Sequence, residues 1–158
     1  MKKLTLLLSL LFITFSCGVQ QTRDALTSGN YDEAIQIAVE NLRNRKDAKG
    51  KQDYVLFLEE AFAKAKERDL QNISLWFKDA NPSNAEKIYN TYLALHNRQE
   101  LIKPILPLKV LNGNRQANFA FEDYSDQIVS SKNALAKRLY DNSKALLATR
   151  DKMNFRRA

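Results

Sequence analysis

Cysteine, histidine and tryptophan each occur once in the 158 residues, beside three prolines and four glycines. A single thiol has no intramolecular disulfide partner, so no covalent staple stabilises the chain. Cys17 and His96 together fall short of a zinc site of the usual kind. They also leave Ser-His-Asp and Cys-His catalysis without a positional signature. Glycine-rich phosphate cradles are absent. The longest apolar run, Leu4 to Phe15, is about a dozen residues, whereas a spanning helix needs ~20. Scarce proline and glycine mean few enforced breaks, and Ala, Leu, Lys, Asn and Glu dominate, so long helices are expected.

What remains offers little chemistry. His96 falls one turn from Tyr92 and Leu93 and reads as a helix-edge histidine. Glu59-Glu60 and Glu122-Asp123 are adjacent carboxylates, but sequence neighbours point apart on a helix and serve as solvated charges or caps. Trp76-Phe77, spaced from Ile73, reads as core packing. No catalytic residue, metal or cofactor is assigned, and the expectation is a protein that is not an enzyme.

The start of the chain is the most specific segment. MKKLTLLLSLLFITFSCG has a charged opening, an apolar run and then Ser16-Cys17-Gly18. That order describes an export signal, which is set aside from fold reasoning. With the lone cysteine at the expected cut, it resembles a bacterial lipoprotein signal, matching well at Ser16-Cys17-Gly18 and loosely at Thr14 and Phe15. The resemblance implies lipidation of Cys17 and attachment through two or three acyl chains, since one chain alone binds marginally. Gly18 to Thr22 holds no acidic residue, which by the conventions of that family implies a periplasm-facing outer-membrane location. Expected boundaries are 1–16 for the signal, 17–22 for a tether and 23–158 for a helical domain. Setting aside Lys2 and Lys3 leaves +5 of the formal +7, with both signs interspersed. A lipid-anchored envelope protein does not meet the genome, so nucleic acid is not an expected partner. The densest basic stretch, RNRKDAKGK from Arg43 to Lys51, reads as a solvated helix end and linker, with weak attraction to anionic head groups or glycans as the other reading.

Along the chain, Arg23 to Ser28 predicts a short helix closed by Gly29, and a second follows with Asp32 and Glu33 in its first turn. Its apolar positions are Ala34, Ile35, Ala38, Val39 and Leu42. A long third helix is predicted over Gln52 to Asp79. A fourth starts at Asn81-Pro82, stops before Pro104 and carries Ala85, Ile88, Tyr92, Leu95 and Ile102 on one side. Asn112-Gly113 then signals a hairpin. With those two in the turn, Val110 faces Arg115, Leu108 faces Ala117 and Leu106 faces Phe119. Leu106, Leu108, Val110, Ala117, Phe119 and Phe121 then share one apolar face, which must lie on the helices. The last helix is predicted from Asp123 to Thr149, with Tyr124, Ile128, Leu135, Leu139 and Leu146 on its seam.

Gly29-Asn30-Tyr31-Asp32-Glu33-Ala34-Ile35 resembles the inter-helix corner of a tetratricopeptide repeat. In that family the aromatic packs between paired helices and the small residue admits the next helix. The resemblance implies packing roles for Gly29, Tyr31, Ala34 and Ala38, and covers about Arg23 to Leu42. A partial second copy, Ala134 to Ala158, offers Phe155 and Ala158 at matching places, 124 positions on from the first. The helices between lack the ~34-residue period of the family. The expected fold is therefore all-α, a divergent array of antiparallel helical hairpins with a small inserted β-hairpin, continuing beyond Ala158. The expected role is a membrane-anchored scaffold for an envelope protein partner. Alternatives are a lipoprotein that binds glycan or lipid through Trp76, Tyr89 and Tyr92, and an accessory subunit of an envelope enzyme.

Overall fold

The computed structural model describes residues 16–79, 81–110 and 114–149. Five helices are described: α1 (Ser16–Thr27), α2 (Tyr31–Leu42), α3 (Gln52–Asp79), α4 (Asn84–Ile102) and α5 (Ser125–Ala148). Two short strands, β1 (Lys109–Val110) and β2 (Arg115–Gln116), lie between α4 and α5. The fold is all-α with a small inserted hairpin. The described chain divides into two compact units. One is the chain up to Glu67 with Arg98–Phe121; the other is Arg68–Asn97 with the chain from Glu122 on. The long helices α3 and α4 contribute a portion to each.

In the first unit, α1 closes on Gly29, whose φ of +82° is open to glycine at little cost. The Asn30 amide donates to the Ala25 carbonyl at 2.8 Å and the Gly29 amide to the Leu26 carbonyl at 3.3 Å. That pair of bonds is a Schellman cap, which satisfies carbonyls a helix end leaves over. The reversal lays α2 back on α1, and Ala34, Ala38, Val39 and Leu42 have no exposed surface. Tyr31 packs against the same core. From α3 come Val55, Leu58, Ala61, Phe62 and Ala65, all buried.

The segment expected to be a tether, 17–22, is helical instead. α1 begins at Ser16 rather than Arg23. Val19 packs on the core and Thr22 is fully buried, its hydroxyl donating to the Gly18 carbonyl at 2.8 Å. That bond satisfies the one polar atom that burial would otherwise leave unpaired.

The hairpin has the expected register: Val110 pairs with Arg115 and Lys109 with Gln116. The Ala117 amide extends it to the Leu108 carbonyl at 2.9 Å. Asn112-Gly113 lies outside the described residues. All six residues of the expected apolar face join the first core. Phe119 and Phe121 each meet Phe62 edge-to-face, with centroids 5.6 and 5.5 Å away. Such pairs contribute about 0.5–1.5 kcal/mol each beyond their burial. Arg115 closes a two-pronged contact on Glu59 of α3, both oxygens at 2.7 Å, and the Asn118 amide donates to the same carboxylate at 2.8 Å.

A buried arginine was not anticipated. Arg98 of α4 is 4 % exposed, and its Nε donates to Asp32 at the start of α2, 2.8 Å away. The second unit has a smaller core of Ile73, Leu95 and Tyr124, with Leu70, Trp76, Tyr92 and Ile128 packed around it. Helix α4 starts at Asn84, after a turn in which Asn81 Oδ1 accepts the Ser83 amide. Phe155 and Ala158, the second-copy packing residues, lie outside the described residues.

The Arg115 hydrogen bonds hold the Glu59 carboxyl below its ordinary 4.5, against an opposing push from burial. A carboxyl whose pKa falls on folding stabilises the folded state above its unfolded pKa and loses that contribution as acid protonates it. Glu59→Gln is therefore expected to cost about 1 kcal/mol at neutral pH, the pair being partly exposed. Denaturant unfolding checks this: the gap between variant and wild type must shrink as pH falls through and below 4.5. A gap independent of pH contradicts the assignment.

Candidate functional site

Two places stand out, one at the start of the described chain and one in the second unit. At the start, α1 carries Cys17 in its first turn. Gly18, the next residue, is backed by Tyr54 of α3: the Tyr54 hydroxyl lies 2.5 Å from where a Cβ on Gly18 would stand. Any larger residue at 18 would displace that ring. One turn on, the Arg23 guanidinium sits 5.6 Å from the centre of the Phe57 ring. Lys51 places its ammonium 4.9 Å from the Tyr54 ring centre and donates to Asn41 Oδ1 at 2.8 Å. The residue after Cys17 is thus fixed to the folded body.

The second place is a groove of about 440 Å³ within the second unit. Trp76, Phe77, Ala85, Ile88, Tyr92 and Ala134 form its apolar lining, and Asn81, Gln127, Ser130 and Ser131 supply polar atoms. Its size falls in the range of ligand clefts, which are mostly apolar with a few fixed polar groups. Asn84 holds one corner by donating to Asp79 at 2.9 Å and to the Trp76 carbonyl at 3.4 Å. Lys87 lies over the Trp76 ring at 5.8 Å, and Tyr92 meets Tyr124 with centroids 6.1 Å apart. Desolvation raises the Tyr92 hydroxyl above its ordinary value, so it stays protonated at neutral pH.

Spacing assigned Trp76-Phe77 to the core, and the structure divides the pair. Trp76 is half-buried against the second core, while Phe77 is 60 % exposed at the groove. Helical spacing shows which residues share a face but not whether anything covers it. Tyr89 is half-buried and is not among the residues that line the groove. His96 is half-buried, and among the described residues no group of three or more His, Cys, Asp or Glu side chains is placed to hold a metal ion.

Apolar side chains on α5 also remain partly uncovered outside the groove lining. Of its expected seam, Tyr124 is buried and Ile128 packs on the core, but Leu135 and Leu146 are half-buried and Leu139 is 55 % exposed. Leu135, Leu139 and Leu146 share one side of α5, about 100° around the axis from the Gln127, Ser131 and Ala134 positions that line the groove. Among the described residues no helix is long and apolar enough to cross a membrane. No family model, curated protein or solved structure matches the chain.

Trp76 is the only tryptophan, so the groove carries its own reporter. An apolar fluorophore such as anilinonaphthalene sulfonate is expected to bind there and accept energy from Trp76. Ala134→Glu places a negative charge against the apolar lining and against the probe's sulfonate, and is expected to weaken that binding about tenfold or more. Since Ala134 is exposed, the helical circular dichroism of the variant should match wild type. Equal binding by both proteins would show that the groove is not where the probe sits.

Proposed function

We propose that this protein is a lipid-anchored envelope lipoprotein acting as a non-catalytic helical scaffold, and that its second unit receives an amphipathic helix of a protein partner. The observation that carries the reading is the uncovered apolar surface of the second unit, a 440 Å³ groove and, elsewhere on α5, the partly exposed Leu135, Leu139 and Leu146. A compact ligand would cover only the groove. A helix laid along α5 would bury Leu135, Leu139 and Leu146 as well, in the mode by which amphipathic helices fill apolar grooves.

Three further features support the reading. The α1–α2 corner has the glycine cap, packed aromatic and fully buried alanines that the tetratricopeptide likeness implies. The single cysteine lies in the lipoprotein-like sequence Ser16-Cys17-Gly18. Two or three acyl chains at Cys17 would hold the protein durably on the outer membrane, each buried methylene contributing ~0.8 kcal/mol. A second reading rests on Trp76, Phe77 and Tyr92, whose rings line the groove. They suit an acyl chain or a sugar face, which would make the protein a ligand-binding lipoprotein.

Two experiments test these statements. In the producing bacterium, wild type is expected in the membrane fraction with the mass of an acylated Cys17, and Cys17→Ala without that mass. A soluble, unacylated wild type defeats the anchor. Photo-cross-linking residues placed singly at Phe77 and Leu139 are expected to trap the same partner, with the adduct mapping to one amphipathic helix. A lipid or glycan adduct at Phe77 alone favours the second reading, and no adduct at either position contradicts both.

A further inference from the structure

The basic stretch Arg43 to Lys51 reads from sequence as a solvated linker, but its place in the fold gives it a further role. It carries five basic side chains against the single acid Asp47, and Asp53 is the next acidic residue along the chain. Arg43, Arg45 and Lys49 are exposed. The stretch is also held in place. Lys46 donates to the carbonyls of Ile105 and Leu106 at 3.1 and 3.3 Å, and Lys51 is fixed on Asn41 and on the Tyr54 ring. The same Tyr54 presses its hydroxyl on Gly18. From Cys17 the path to the basic stretch is therefore one peptide bond, one tyrosine ring and one lysine.

An acyl group on Cys17 enters the bilayer at its surface, and consecutive Cα atoms are ~3.8 Å apart. With no slack after Cys17, the Lys51 end of the basic stretch is held on the side of the fold that carries Cys17, and charges near headgroups act over about a Debye length, ~8 Å at physiological ionic strength. We propose that the Arg43–Lys51 stretch is a second membrane contact, lying on anionic phospholipid headgroups beside the acylated Cys17 and seating the folded body on the bilayer. The inference rests on the lipid-anchor reading. It adds to that reading a defined face of the protein and a class of lipid. Each basic residue near an anionic surface favours the docked state about fivefold. Arg43, Arg45 and Lys49 together thus set a docked-to-undocked ratio about a hundredfold higher than without them.

The test uses the full chain, purified in detergent from the producing bacterium, with acylation at Cys17 verified by mass. It is reconstituted into phosphatidylcholine vesicles with or without phosphatidylglycerol, and amide hydrogen exchange is followed over residues 43–51. Slower exchange only with phosphatidylglycerol, reversed by high salt and lost in Arg43→Gln/Arg45→Gln/Lys49→Gln, is the expected result. Those three side chains are exposed, so the triple variant should keep the wild-type helical signal. Exchange that is the same in both vesicle types overturns the proposal, and this comparison needs no variant. Equal protection in the triple variant overturns it too, as does protection by inorganic phosphate added to neutral vesicles, which would mark a soluble-anion site. A chain without acyl mass sinks the anchor reading instead, and its binding to added anionic vesicles then reads the basic stretch separately.

Discussion

Helix α1 lies closely on α2 and is met from its first turn by side chains of the N-terminal half of α3, and the reading of the molecule depends on those contacts. Tyr54 backs Gly18, Phe57 lies under Arg23, and Val55, Leu58 and Phe62 complete a core into which Val19, Thr22 and Leu26 fit. Burying a large apolar side chain contributes about 1.5–3 kcal/mol, so a few such residues suffice to hold a helix of twelve residues in place. An isolated helix of that length would be marginal in water. The outcome is a chain that leaves Cys17 already folded.

That constraint changes what a lipid at Cys17 would do. On a flexible tether an acylated protein ranges over its membrane and its surface charges act at no fixed height. With α1 packed from its start, a lipid at Cys17 would hold the same charges at the interface and give the body a defined membrane side. The second unit is described by its own smaller core, around Ile73, Leu95 and Tyr124, and by more exposed apolar surface. The two units thus divide the work proposed for the protein, attachment in one and partner binding in the other.

Sequence reading did best where two local signals agreed. The hairpin register followed from a turn dipeptide and a two-residue alternation that pointed to the same pairing, and Val110–Arg115 has it. The bounds of α3, Gln52 to Asp79, were legible because the breaks on both sides are local. Gly29 was legible because its left-handed cap is a property of one residue. Arg98 was not. Its burial depends on Asp32, 66 positions away, and charge predicts exposure unless a partner is known. The start of α1 was missed because Gly18-Val19-Gln20-Gln21-Thr22 has no strong helical pattern, and its order comes from Tyr54 and the core. Phe77 was misassigned because a period reports which way a residue points and not what lies opposite. The groove, formed by residues from Trp76 to Ala134, had no sequence signature at all.

Amide exchange at Gly18 to Thr22 in the acylated protein measures the central claim most directly. The account predicts slow exchange at Thr22 and at Gln21, comparable to the interior of α2, because both lie in a packed helix. Exchange at the rate of an unstructured peptide across this segment would mean that a loose tether joins lipid and body, and the seated arrangement would be wrong.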